Sequence, residues 1–176
     1  MRLLLLCGSL RAGSTNEAVL RTAQQVDNKD VSTFYEGLAD LPHFNPDDDH
    51  EPLPSSVVAL RSAIDVADAL LICTPEYAGD MPGSFKNLLD WTVGGIETEG
   101  KPVAWINASS SPTGASGTHA MLRVVLEYTG CEIVNDACVH LAVTRDAIHD
   151  GVVADIGLRA EVFAALNTLR GHVERT

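Results

Sequence analysis

The 176-residue sequence predicts an α/β fold: a doubly wound, five-stranded parallel sheet with helices on both faces, built as a single domain over residues 1–176. Three observations predict it. Short apolar runs alternate with stretches carrying apolar residues at helical spacing, and strands that alternate with helices pair in parallel through right-handed crossovers. The runs Leu3-Leu4-Leu5-Leu6, Ala69-Leu70-Leu71-Ile72-Cys73 and Val103-Ala104-Trp105-Ile106 are almost unbroken, as in strands covered on both faces. Three polar loops follow the first, third and fourth strands, so the fold gathers them at one edge of the sheet, where such folds bind ligands.

The first strand runs into Gly8-Ser9-Leu10-Arg11-Ala12-Gly13-Ser14-Thr15-Asn16, and a helix follows with Ala18, Val19, Ala23 and Val26 on its apolar side. The first amides of a helix lack intrahelical partners and carry the positive end of its dipole, so this turn suits an anion. Ser9, Ser14 and Thr15 add hydroxyl donors, and Arg11 adds a forked cation. The spacing argues for a phosphate-bearing ligand other than a triphosphate or a dinucleotide. G-x-G-x-x-G is absent, and Ser14 stands where the G-x-x-x-x-G-K loop of triphosphate enzymes needs lysine. Only three residues separate Cys7 from Arg11, too few to centre the thiol in a phosphatase cradle.

Val31 to Tyr35 alternates as a second strand. Residues 36 to 54, with Pro42, Pro46, Asp47-Asp48-Asp49, Pro52 and Pro54, read as a solvated surface loop, the alternative being a mobile flap. Ser55 or Ser56 caps a helix carrying Val58, Leu60, Ile64 and Val66. After the third strand, Pro75-Glu76-Tyr77-Ala78-Gly79-Asp80-Met81-Pro82-Gly83-Ser84 forms the second informative loop, and Phe85, Leu88, Leu89 and Trp91 mark a helix. Lys101 to Ala108 is the fourth strand. It ends in Ser109-Ser110-Ser111-Pro112-Thr113-Gly114-Ala115-Ser116-Gly117, with a helix to about Tyr128. A fifth strand covers Cys131 to Val134, with a second segment from Cys138 to Val143, and a last helix spans Val152 to Val173.

Twelve Lys and Arg against 24 Asp and Glu leave a net charge of −12. That balance argues against nucleic acid and anionic membranes as partners and makes Arg11 conspicuous. The four cysteines, Cys7, Cys73, Cys131 and Cys138, form no C-x-x-C and read as buried thiols of a reducing compartment. No secretion signal or membrane-length run is present, so a cytoplasmic location is expected. The six histidines are scattered without metal-binding spacing, and no metal site is expected.

Gly8-Ser9-Leu10-Arg11 with Ser14 and Asn16, then Thr74-Pro75-Glu76-Tyr77 with Pro82-Gly83-Ser84-Phe85-Lys86-Asn87 and Asp90-Trp91, resembles the NADPH-dependent FMN reductase family, which includes flavin, quinone, azo-dye and chromate reductases. The likeness covers roughly residues 1 to 145. It implies a flavodoxin-like fold of strand order 2-1-3-4-5, bound FMN, NADPH or NADH as co-substrate, a small-molecule electron acceptor, and a homodimer or homotetramer. It also implies that Ser9, Arg11, Ser14, Thr15 and Asn16 grip the FMN phosphate. Pro75, Glu76, Tyr77, Ala78 and Gly79 then line the isoalloxazine, mainly through backbone amides, and Ser110, Ser111 and Gly114 border its other side. One departure stands out: Ala78 replaces an Asn common in the family.

No catalytic dyad is evident, which suits a reaction carried by the flavin, with the protein supplying orientation and electrostatics. Glu76 is expected to shape its loop rather than to act as acid or base, Tyr77 to wall the flavin, and Lys86 to pair with a carboxylate. Trp91 is expected at a subunit interface. The rival reading is a flavodoxin-like FMN-binding electron carrier without nicotinamide turnover. Arg11 and the Pro-Glu-Tyr segment speak against it.

Overall fold

The computed structural model describes residues 1–27, 31–111 and 113–176; Pro112, in the third predicted loop, lies outside the described residues. Strand β1 (Arg2–Cys7) runs parallel between β2 (Val31–Phe34) and β3 (Ala69–Cys73), and β4 (Pro102–Asn107) pairs with β3. Two short segments share the fifth position. β5 (Glu132–Ile133) pairs with Pro102 and Val103, and β6 (Val139–His140) pairs with Ile106 and Asn107. A 3-10 turn at Asn135–Ala137 interrupts them. The order is the expected 2-1-3-4-5, with β6 continuing the fifth strand.

Side chains alternate across a strand, and β1 feeds two cores. Leu3, Leu5 and Cys7 pack with Val19 and Leu20 of α1 (Thr15–Val26) and Val162 and Leu166 of α5 (Ile156–Val173). Leu4 and Leu6 share the opposite core with Leu60 of α2 (Ser55–Val66), Phe85 of α3 (Gly83–Asp90) and Leu122 of α4 (Ser116–Tyr128). Both faces are covered, as the unbroken apolar strands require.

Four expectations need correction. Helix α2 follows Pro54 with no side-chain cap, so neither Ser55 nor Ser56 caps it. Helix α2 buries Val57, Leu60, Arg61 and Ile64, the i, i+3, i+4, i+7 stripe of a half-buried helix, while Val58 and Val66 face solvent. The last helix starts at Ile156. Val152–Val153 (β8) instead pairs antiparallel with Ile148–His149 (β7) across Asp150-Gly151, both at positive φ (49° and 77°), as an Asp-Gly hairpin turn demands. Trp91 is not an interface residue in the making: it is 0 % exposed within one chain. Its ring meets Phe44 edge-on at 5.0 Å, and its Nε1 donates to the Pro42 carbonyl at 2.8 Å.

That packing also decides the loop at 36 to 54. Asn87 accepts from the Phe44 amide and donates to the Pro42 carbonyl, and Arg61 joins Asp49 at 2.7 Å while donating to the Trp91 carbonyl. The Asp47-Asp48-Asp49 run is thus tied to α2 and α3 through its last member. The loop is anchored rather than a mobile flap.

Candidate functional site

The chain leaves β1 at Gly8, whose N–H donates to the Cys73 carbonyl at 2.9 Å. A Cβ on Gly8 would stand 2.0 Å from Thr74 Oγ1, so the β1–α1 turn and the β3–α3 loop touch at a point only glycine permits. The N-terminus of α1 is then capped reciprocally. Ser14 Oγ accepts from the Glu17 amide at 3.1 Å, and Glu17 Oε2 accepts from the Gly13 amide at 3.0 Å. Glu17 was missed from sequence, although Ser-x-x-Glu is a capping signature.

Several donors of this turn remain unused. Among the described residues, nothing accepts from the Thr15 and Asn16 amides, from Asn16 Nδ2 or from the Arg11 guanidinium. The Ser9 oxygen accepts from a backbone amide, which leaves its hydroxyl proton free, whereas the Ser14 hydroxyl also meets the Cys7 sulfur. A helix N-terminus ringed by unpaired donors fits a phosphate dianion.

A cleft of about 470 Å³ opens at the carboxyl edge of the sheet, within the range of small-molecule sites. Thr15, Asn16, Pro75, Glu76, Ser110 and Gly114 line it, bringing together all three loops singled out from sequence. Ser14 lies buried as the helix cap. Tyr77, Ala78 and Gly79 form an exposed turn next to Glu76, and Ser111 is exposed on the third loop. Ser9 and Arg11 face a neighbouring depression of about 280 Å³, with Tyr35, Glu36 and Leu38, on the other flank of the β1–α1 turn.

Sequence reasoning missed Asn107, Ser109 and the run Val143-Thr144-Arg145, all of which line the larger cleft. Asn107 staples the third loop, donating to the Gly114 carbonyl and accepting from the Ser109 amide, both at 3.0 Å. The Val143–Arg145 stretch follows β6 and reaches the same sheet edge. The signal was its place after a strand, hidden by the interruption at Asn135–Ala137.

Glu76 Oε2 accepts from the Thr118 amide at 3.3 Å. Helix α4 has no side-chain cap of its own, so this carboxylate serves its positive end and locks the second loop to the third. Lys86 pairs with Asp90 one turn along α3, as expected. Burial pushes the thiols of Cys7 and Cys73 above their ordinary values, and both stay protonated near neutrality.

Tyr77 and Asp80 exchange two backbone hydrogen bonds, Tyr77 N to Asp80 O at 2.7 Å and Asp80 N to Tyr77 O at 3.1 Å. Ala78 and Gly79 between them both have positive φ, 53° and 83°. This is a two-residue turn that favours Asn-Gly, which gives a backbone reason for the Asn that the family resemblance leads one to expect at position 78. Ala78 holds the left-handed conformation against its Cβ. Ala78→Gly should therefore raise stability by about 1 kcal/mol, read as a rise of about 2–4 °C in the melting temperature. A fall would show that the turn stores no such strain.

The chain belongs to the NADPH-dependent FMN reductase family, whose pattern it matches over residues 1–145. It is 31% identical over 178 residues to an NAD(P)H-dependent FMN reductase of Pseudomonas aeruginosa, an alignment that covers 99% of this chain and 96% of that protein. It is 32% identical over 139 residues to a quinone reductase of Escherichia coli, covering 77% and 74%. Among solved structures it resembles FerB, a flavoenzyme NAD(P)H:(acceptor) oxidoreductase from Paracoccus denitrificans, with a TM-score of 0.83 at 29% identity over 97% of this chain and 98% of that one. These relatives are named as reductases, which favours the enzyme over the electron carrier.

Proposed function

We propose that this chain is an FMN-dependent NAD(P)H oxidoreductase acting on a small-molecule acceptor, a quinone, a flavin, an azo compound or a metal oxyanion, through one FMN-binding domain over residues 1–176. The observation that supports it most is the meeting, at one cleft, of the unpaired donors of Thr15 and Asn16 at the start of α1 with Pro75 and Glu76, which lead into the turn at Tyr77, in a chain of this reductase family. Bound FMN supplies hydride acceptance from the nicotinamide and electron delivery to the acceptor.

The chain's own residues bind and orient. Thr15, Asn16 and the hydroxyls of Ser9 and Ser14 hold the phosphate. Arg11, exposed and without an ion pair to any described residue, closes over it from the far flank of the turn without breaking a contact. Pro75, Glu76, Tyr77, Ala78 and Gly79 line the ring. The Ala78 and Gly79 amides donate to no described group and are placed to stabilise negative charge arriving there. Ser110, Ser111 and Gly114 border the opposite side, and no side chain is assigned a proton-transfer role.

The oligomer belongs to the same reading. Met121, Val124 and Tyr128 form an exposed apolar stripe on α4, and Val93 and Ile96 lie exposed as well. So much outward apolar surface suits burial between copies, and a homodimer or homotetramer is proposed; a monomer by light scattering would remove it. No helix among the described residues is long and apolar enough to cross a membrane, and a cytoplasmic site of action is proposed on the thiol-bearing composition.

The test is an absorbance spectrum of the purified protein with FMN, followed by anaerobic titration with NADPH and then NADH. Bleaching of bound flavin by a nicotinamide, with colour restored by a quinone, is the expected result. Flavin that binds yet ignores both nicotinamides would favour the carrier, and protein that ignores FMN would overturn both readings.

A further inference from the structure

We propose that Cys73 is a positioning residue for FMN: its thiol donates to Asn16 Oδ1 and so turns Asn16 Nδ2, with both protons, toward the phosphate. The proposal rests on the FMN reading above and concerns how this chain builds that site.

The contact is Cys73 Sγ to Asn16 Oδ1 at 3.3 Å, between a thiol that is 0 % exposed and an amide residue that is 9 % exposed. A primary amide fits its pocket either way round, and its hydrogen-bond partners decide which end faces where. Here the partner is asymmetric. The thiol is the donor and the Asn16 carbonyl oxygen the acceptor, and the Ala108 backbone amide, a donor itself, lies toward the same sulfur. Burial keeps that proton in place at neutral pH.

Asn16 Nδ2 meets no acceptor among the described residues, yet it is not a buried orphan. Asn16 lines the larger cleft, so Nδ2 is left to what enters there. Turned the other way, Asn16 would offer the cleft carbonyl lone pairs, which repel a phosphate dianion. The thiol sits where this choice is made. Cys73 ends β3, between β1, whose following helix α1 carries Asn16 in its first turn, and β4, which leads into Ala108. One sulfur thereby links the three loops beneath the site.

The experiment measures dissociation constants of FMN and riboflavin for the apoprotein by quenching of flavin fluorescence. Cys73→Ala should weaken FMN about tenfold, the scale of a hydrogen bond to a charged group, and leave riboflavin unchanged. Cys73→Ser keeps a donor and should restore most of the FMN affinity. Cys73→Val, which fills the space without a donor, should behave as Cys73→Ala and carries the comparison if the smaller side chain fails to fold. In an Asn16→Ala background, Cys73→Ala should have no further effect on FMN. Equal losses for FMN and riboflavin, or an undiminished loss in the Asn16→Ala background, would make Cys73 merely a packing residue and overturn the proposal. Wild-type apoprotein that takes up no FMN would defeat the functional reading and this inference with it. Wild type that binds FMN while every Cys73 variant matches it would defeat only the inference.

Discussion

Arg11→Ala should raise the dissociation constant of FMN by about ten- to hundredfold, the scale of charge-assisted hydrogen bonds, and leave that of riboflavin unchanged. The size of the effect follows from scarcity. Acidic residues outnumber basic ones two to one, and many of the cations elsewhere are engaged: Arg2 with Asp68, Arg21 with Glu36, Arg61 with Asp49, Lys86 with Asp90 and Arg170 with Asp27, whereas Arg145, in the larger cleft, shares with Arg11 the lack of an ion pair among the described residues. Arg11 has no such partner among the described residues and stands at the turn whose amides are open. Arg11→Lys should recover only part of the loss, because an ammonium cannot present a planar fork to phosphate oxygens. Added salt should weaken the wild type more than Arg11→Ala. Equal weakening of riboflavin would place Arg11 against the ring instead.

The largest effect on stability is expected at Arg170, on the opposite side of the sheet from α3 and α4. Its guanidinium meets Asp27 at 2.7 Å, with side chains 8% and 0% exposed. Removing one member of a buried pair leaves the other charge in a poor solvent at a cost of about 3–5 kcal/mol. Arg170→Met should therefore lower the melting temperature by roughly 6–20 °C for a chain of this size, read by thermal denaturation of the apoprotein. The double variant Asp27→Leu/Arg170→Met should recover most of that loss, since the desolvation of both ions goes with them. A double variant no better than the single one would show that packing, not the charge left behind, sets the cost. The candidate cleft lies at the other end of these elements, so FMN affinity should not change in the folded protein.

What could be read from the residues was what repeats. Four leucines in β1 announce a strand buried on both faces, and the turn after it shows its chemistry in Gly8, Ser9 and Arg11. Strand alternation alone brought three distant loops to one edge, and six of the residues named for the site line one cleft. Features that depend on tertiary partners were hidden. Trp91 is apolar enough for a core or an interface, and only Phe44 and the Pro42 carbonyl decide between them. Asn16 reads as a donor, but the thiol that orients it lies 57 positions away. Arg145 enters the cleft because a broken fifth strand still ends at the shared edge. Two signals were present and overlooked: Asp150-Gly151 marks a hairpin where a helix was expected, and Ser14 with Glu17 spells a reciprocal cap.

In the proposed function the open donors at the start of α1 hold the phosphate of FMN. The most direct measurement is the ratio of wild-type affinities for FMN and riboflavin, two ligands that share a ring and differ in the phosphate. FMN should bind tighter by at least about a hundredfold, as several charge-assisted hydrogen bonds require, with a ratio that shrinks as salt is added. Equal affinity for the two at low salt would contradict it.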